Sequence, residues 1–557
     1  MKKLFTLIII SVTFIFSQEN SDLKELASQF FKWRKTTQPI GSDDIPRIER
    51  ENKWVPDYSP QAIRYSQIKY KQFKSSLELI PHTTWTRADS VDYLLLRSAI
   101  ERVNWELNIL KLTSSHPEFY LNQTIGCVFD LLVISSPFTK VRAENLILRL
   151  NSIPRTLEFA KINLTDPIKP FAQITINQLE GINKKIETMT AGLKSSFPEL
   201  WGTDLGVSAS QASAALEDYS LWLKIQLPAM KENFAVGRSN YNYFLKFIAL
   251  VPYTLEELLL MGKQEQGRAV AFETLEIAAN KNIPYSSKFN SIDHEISQAQ
   301  KDELAIRDFL AEKNILTIPK WARHYTLKAM PDYIKALSSF GELDDFTSPS
   351  RLQENSVRYI PDPSEKLGFF YGTAAHDPRP LIIHEGLPGH YFQLIQAWQN
   401  PRLIRRFYID SNANEGIGFY LEEMMLQLGL FVDKPHTREI IYRFMRLRAL
   451  RVAVDINLAV GNFTIKDAGI YLAATVPMDP ESAAAEAVFF AATPGQAITY
   501  QIGKIQILKL ISDGEIKLGH KFDLKDYHDY MMLNGNVPIS LQRWEFLGEK
   551  DEIDRLW

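Results

Sequence analysis

Cysteine is almost missing from this 557-residue chain: Cys127 is the only one. An internal disulfide is therefore impossible, and a cysteine-built zinc cluster is excluded. No cysteine follows the N-terminal apolar run, as a lipid-anchored export signal would require. Cys127 itself lies in an apolar stretch, Cys127 to Val133, and reads as a buried thiol. Charge excess is missing too. Lys and Arg number 63 against 66 Asp and Glu, for a net charge of −3. A nucleic-acid surface needs a basic excess or a basic stripe, so that class of partner is excluded. There are no internal repeats and no low-complexity tracts. Beyond the N-terminus no apolar run is long enough to span a bilayer.

The N-terminus reads as an export signal. Lys2 and Lys3 make a positive start, Leu4 to Phe16 is an apolar run short for a membrane span, and Ser17 suits cleavage before Gln18. A retained anchor is the alternative. Residues 1–17 are thus expected to be a signal peptide, and 18–557 a mature chain exported to the periplasm or beyond, without a stable membrane span.

Apolar spacing predicts a mainly α fold. Ser21 to Lys35 carries Leu23, Leu26, Ala27, Phe30 and Phe31 at helical intervals, with Ser21 or Asp22 as the cap. Val91 to Leu110 has the same period. Thr254-Leu255-Glu256-Glu257 is a capping-box start for a helix running to about Asn280. Polar and Pro-rich breaks fall near 37–60, 164–170, 195–208 and 348–365. Strand patterns are few. Val357 to Ile360 and Leu367 to Thr373 are the best candidates for a small β element.

The richest stretch is Leu381-Ile-Ile-His384-Glu385-Gly-Leu-Pro388-Gly389-His390. In the His-Glu-x-x-His helix of zinc hydrolases, histidines four apart share a face. Here they are six apart, and an unbroken helix would set them about 120° apart around its axis. Pro388 lacks an N–H and clashes with the carbonyl four residues back, so it kinks the helix between the two histidines. Gly389 permits a backbone conformation that other residues avoid. The break could swing His390 back toward His384.

A hydrolytic zinc needs nitrogen or oxygen ligands and one open position for water. His384 and His390 supply two ligands. Glu385, next to a ligand, is placed to take the water's proton and return it to a leaving amine. The third ligand is expected from Asn412 to Glu423, where Asn414 could cap a helix. Glu415 is the first choice and Glu422 the second, seven residues on and on the same face. The other of the pair would orient a ligand histidine. Tyr500 could donate to an oxyanion or simply pack. His528 could steady substrate or be structural. Arg448 and Arg451 could grip a substrate carboxylate or pair with Asp455. His294-Glu295 has no second histidine at a useful spacing and reads as surface helix. His376 could line a cleft.

Several motifs then occur in order. After His384-Glu385-x-x-Pro388-Gly389-His390 come Glu415-Gly416-x-x-x-Tyr420-x-Glu422, Arg448-x-x-Arg451-x-x-x-Asp455 and Pro494-Gly495-Gln496-Ala497-x-x-Tyr500-x-x-Gly503-Lys504. Phe522-Asp523-Leu524-x-x-Tyr527-His528-Asp529 and Gly535-x-Val537-Pro538 follow. Upstream lie Pro56-Asp57-Tyr58-Ser59, Arg149-Leu150-x-x-Ile153-Pro154 and Thr254-x-Glu256-Glu257-Leu258-x-x-x-Gly262. This pattern resembles the DUF885 family over nearly the whole mature chain. The resemblance implies a mostly helical, zincin-like metallopeptidase fold with a deep cleft, similar to helical carboxypeptidases, so a carboxypeptidase activity is one expectation. It also implies a peptide substrate, and an organisation as one domain or as two lobes at about 18–345 and 346–557. Three positions depart from the family pattern: Tyr391 and Ala459 stand where a His is usual, and Ile417 where a Trp is usual. Those departures keep two other functions open. One is a catalytically silent binding or scaffold protein, and the other a zinc amidase or esterase acting on a non-peptide bond.

Overall fold

The structure is a computed structural model that describes residues 19–41, 47–82, 85–135, 137–194, 196, 203–363, 367–476 and 478–556. The expected signal peptide lies outside them. The chain is mainly α, with a small mixed sheet. Among the described residues no helix is long and apolar enough to cross a membrane.

The N-terminal helix runs Ser21–Thr37, and the next begins at Pro60, so the first expected break is a real one. The first cap is Asn20 rather than Ser21 or Asp22: its side chain accepts from the Leu23 N–H. The helix Arg87–Asn104 continues into a wider turn over Trp105–Ile109. The capping box at Thr254 and Glu257 forms in both directions and starts the helix Leu255–Ala279.

The sheet has the order β1-β3-β2: Tyr325–Ala329, Ser356–Ile360 and Asp344–Asp345. β1 runs parallel to the central β3, and β2 antiparallel to it. The expected strand at Val357–Ile360 is thus the middle of the sheet. The other expected strand is a helix, Phe369–Ala374. A short aromatic run suits either state, and here Phe369 and Phe370 pack on Phe444 of the helix Pro435–Val460.

The hydrophobic clusters join distant parts of the chain. One packs Leu23, Phe30 and Leu95 with Ile404, Leu541 and Leu556. Another packs Tyr241, Phe244 and Leu258 with Val452, Ile456 and Ile502. A third holds Ile382, Ile383, Leu387, Tyr391, Ile417 and Phe419, and it encloses the two histidines of the motif.

Candidate metal centre

His384 sits in a wide helical turn, Ile382–Gly386. The chain does not continue as a kinked helix. Leu387 is extended, the Leu387–Pro388 peptide is cis, and a new helix starts at His390 and ends at Ala397. Gly389 has an unremarkable φ of −75°, so it is not there to reach a left-handed conformation. Space is what demands glycine: a Cβ at 389 would collide with the carbonyls of Ile383 and His384. The backbone folds back on itself at this point, and the two imidazoles meet at a ring separation of 4.7 Å.

The helix Ser411–Gln427 faces them. Its cap is Asp410, which accepts from the Ala413 N–H, while Asn414 lies inside the helix. At about 100° per residue, Glu415, Gly418 and Glu422 fall on one side. Glu415 Oε2 lies 3.4 Å from His384 Nε2 and 3.3 Å from His390 Nε2. Glu422 Oε1 lies 2.7 Å from His384 Nδ1. All four residues are buried. Gly418 was not singled out in the sequence, yet a Cβ there would come within 2.9 Å of His390 Cε1 and 3.0 Å of His384 Cε1. The two imidazoles occupy the space a side chain would fill. The signal for it was the Glu-x-x-Gly-x-x-x-Glu spacing, which leaves a gap on the helix face between two candidate ligands.

His384, His390 and Glu415 offer three ligand atoms within 4.8 Å of one another, a group that could hold a metal ion. With bonds of about 2.0–2.2 Å, the edges of a tetrahedron around zinc are roughly 3.3–3.6 Å. The two His–Glu415 separations match such edges. Glu415 Oε2 is buried without a hydrogen-bond partner, although both imidazole nitrogens face it. Burial pushes the His384 pKa down, but Glu415 and Glu422 outweigh it and carry the pKa up to about 10. Burial likewise raises the carboxyl pKa of Glu415, and the two histidines pull it well below the usual range. Glu422 is held low by Arg448 and His384 against the same burial.

Glu385, next to His384 in the chain, is only partly buried. Its Oε1 lies 3.4 Å from Arg358 Nη1 on β3. Arg358 also pairs with Asp344 on β2, which accepts a 2.7 Å bond from the Tyr325 hydroxyl on β1. All three strands therefore converge behind Glu385.

Tyr500 is brought in by the helix Thr499–Leu518. Gly416 and Gly503 let that helix cross the Glu415 helix backbone to backbone: a Cβ at 416 would lie 2.5 Å from Gly503 Cα. The Tyr500 ring lies parallel to His384 at 6.3 Å. Arg451 stacks on Tyr500 at 4.7 Å and makes a bidentate pair with Glu486, both bonds 2.8 Å. Arg448 Nη2 donates to Glu422 at 3.1 Å. Neither arginine pairs with Asp455 in these contacts. Asp455 instead accepts from the Gly495 and Ile498 N–H groups at 2.8 and 3.1 Å and anchors the loop before Tyr500.

His528 has both ring nitrogens engaged. Nδ1 faces the Ile315 carbonyl at 2.7 Å and must donate, so Nε2 accepts from the Tyr420 hydroxyl at 2.8 Å. Burial lowers its pKa to about 4. Tyr420 is about 140° around the helix from Glu415 by the same 100° step. His376 is half-buried, with Nδ1 on the Ser286 carbonyl. His294 is at the surface, with Nδ1 on Asn290 Oδ1, whereas Glu295 is buried.

Tyr391, Ile417 and Ala459 are buried among apolar side chains. The departures from the family pattern are packing positions, and His384, His390, Glu415 and Glu422 are intact.

Two solved structures share the fold. One, described as a candidate lipoprotein of unknown function from Shewanella oneidensis, has a TM-score of 0.72 and 17% identity, covering 94% of this chain and 99% of its own. The other, a candidate lipoprotein from Colwellia psychrerythraea, has a TM-score of 0.75 and 16% identity, covering 95% and 99%. No match is found among curated proteins. The family profile described as "Bacterial protein of unknown function (DUF885)" matches residues 41–544, and the chain belongs to that family.

Proposed function

We propose that this protein is an exported zinc-dependent peptidase, with the ion held by His384, His390 and Glu415. One observation carries the reading: Glu415 Oε2, buried, lies between two imidazole nitrogens at tetrahedral-edge distances. Two histidines and a carboxylate leave a fourth position open, the donor set of a hydrolytic site rather than a structural one. The ion, when bound, supplies a Lewis acid that lowers the pKa of water toward neutrality.

The residues around it divide the remaining work. Glu422 holds His384 by Nδ1, which leaves Nε2 for the ion, and Arg448 keeps Glu422 charged. Glu385 accepts the proton of the attacking water and returns it to the leaving amine. Arg358 holds Glu385 at the edge of the site. Tyr500, beside His384, is placed to donate to the oxyanion. His528, with both nitrogens occupied, serves packing in this scheme. Export is supported by the N-terminal pattern and by the descriptions of the two structural relatives as lipoproteins. The zincin-like cleft remains part of the same proposal.

The test is metal content of the purified protein, followed by digestion of a short-peptide library with chelator and with zinc restored. One zinc per chain and chelator-sensitive cleavage are expected. Bound zinc without cleavage of any peptide would favour the amidase, esterase or silent readings.

A further inference from the structure

A cavity of about 310 Å³ lies at the N-terminal end of the helix that carries Glu415. That is the lower end of the range for small-molecule sites. Asp410 and Ser411 line it, one helical turn before Glu415, and so does Thr499, next to Tyr500. A rise of 1.5 Å per residue sets Ser411 about 6 Å along the helix axis from Glu415.

The wall is aromatic, with Phe31, Trp105, Phe119, Phe244 and Phe407. Its charges are Glu106, Glu118 and Asp410 against Arg34 and Arg102. Arg34 pairs with Glu106 at 2.7 Å, and Arg102 lies 3.7 Å from Asp410. Glu118 is left over. Its Oε2 is buried and has no hydrogen-bond partner among the described residues. Burial pushes its pKa up to about 8, with no cation opposing the shift. His116, on the same wall, supplies no charge, because burial lowers its pKa to about 3. Glu118 is half-buried, its carboxyl is therefore held neutral near pH 7, and a cation entering the cavity favours the ionised form. Aromatic faces attract organic cations as well.

The geometry points to this cavity as a subsite for an alkylammonium or guanidinium group, supplied by a peptide's amino terminus or by a basic side chain. As a substrate subsite it rests on the peptidase reading, whereas cation binding does not. The first measurement is therefore calorimetric titration of the full mature chain with n-pentylammonium and with neutral 1-pentanol, both metal-loaded and chelated. Pentylammonium is expected to bind in both states and pentanol to bind at least about tenfold more weakly. Glu118→Gln, close in shape, is expected to weaken pentylammonium about 10- to 100-fold, the worth of one charged hydrogen bond. Phe407→Ala serves as a second variant, because Phe407 is half exposed; it is expected to weaken binding with an unchanged circular-dichroism spectrum. No binding, equal binding of pentanol, or full affinity in E118Q would overturn the proposal.

The second measurement compares cleavage of peptide pairs with free or acetylated amino termini, and with lysine or norleucine. A preference within one pair identifies the source of the cation. Ammonium binding without any preference would overturn the subsite. Ammonium binding with no cleavage of any peptide would leave the cation site standing and remove the peptidase reading alone.

Discussion

At the scale of single residues, the site is defined as much by a missing side chain as by those present. Gly418 gives up its space to both imidazoles. Gly418→Ala improves helix propensity by about 1 kcal/mol, so the helix itself is not weakened. The added carbon must instead push His384 and His390 outward by several tenths of an ångström. Zinc affinity is expected to fall about 10- to 100-fold, as for loss of a group that orients a ligand, with little change in thermal midpoint. Competition with a fluorescent chelator measures the first, and calorimetry the second. Unchanged affinity would mean the histidines are not held against this helix. Glu385→Gln tests the proton step separately. The amide keeps the shape but accepts no proton, and peptide cleavage is expected to drop about 10²–10⁴-fold while zinc stays bound. Equal cleavage by the variant would remove Glu385 as the base.

At the scale of elements, the histidine segment shows how much the sequence could reveal. That Pro388 and Gly389 stop the helix between the histidines was legible, because proline's missing N–H and ring clash act locally. That the helix breaks outright, rather than kinks, was not, since Gly389 is required by the carbonyls of Ile383 and His384 folding over it. The Glu415–Glu422 face was legible from its seven-residue spacing. The reach of Glu422 to His384 and of Arg448 to Glu422 was not, because both depend on how separate helices cross. Of the two unread strands, Tyr325–Ala329 alternates apolar and polar residues but over only five positions, and Asp344–Asp345 is two residues long. Sequence reasoning alone expects replacement of Pro388 and Gly389 by Ala to cost zinc affinity and spare folding. The buried collision at 389 argues that folding suffers too. Gly389→Ala by itself is expected to abolish stoichiometric zinc and to lower the thermal midpoint, whereas Pro388→Ala removes no such contact limit and should do less. Stoichiometric zinc in the Gly389→Ala protein would show that the fold-back is not what joins the histidines.

At the scale of the whole molecule, the question is whether the ion organises the fold or enters a finished site. The segments carrying His384, His390 and Glu415 are packed within one hydrophobic cluster, through Ile382, Ile383, Phe392, Ala413, Ile417 and Phe419. Other clusters tie the N-terminal helices to the C-terminal ones without reference to the ion. The chain therefore has a core that does not depend on metal, unlike small domains that fold only around zinc. Chelated protein is expected to keep its helical signal. Zinc at 100 times its dissociation constant adds about 2.7 kcal/mol to the native state. For domains of 150–250 residues, 1 kcal/mol shifts the midpoint by about 2–4 °C, and less as the chain lengthens. A rise of only a few degrees on zinc addition is thus expected for this chain, and none for His390→Ala. Thermal scans at fixed free zinc, on parent and variant, decide the matter. An unfolded chelated protein would make the ion a structural organiser and weaken the case for an open hydrolytic site. An equal rise in His390→Ala would place the ion elsewhere in the molecule.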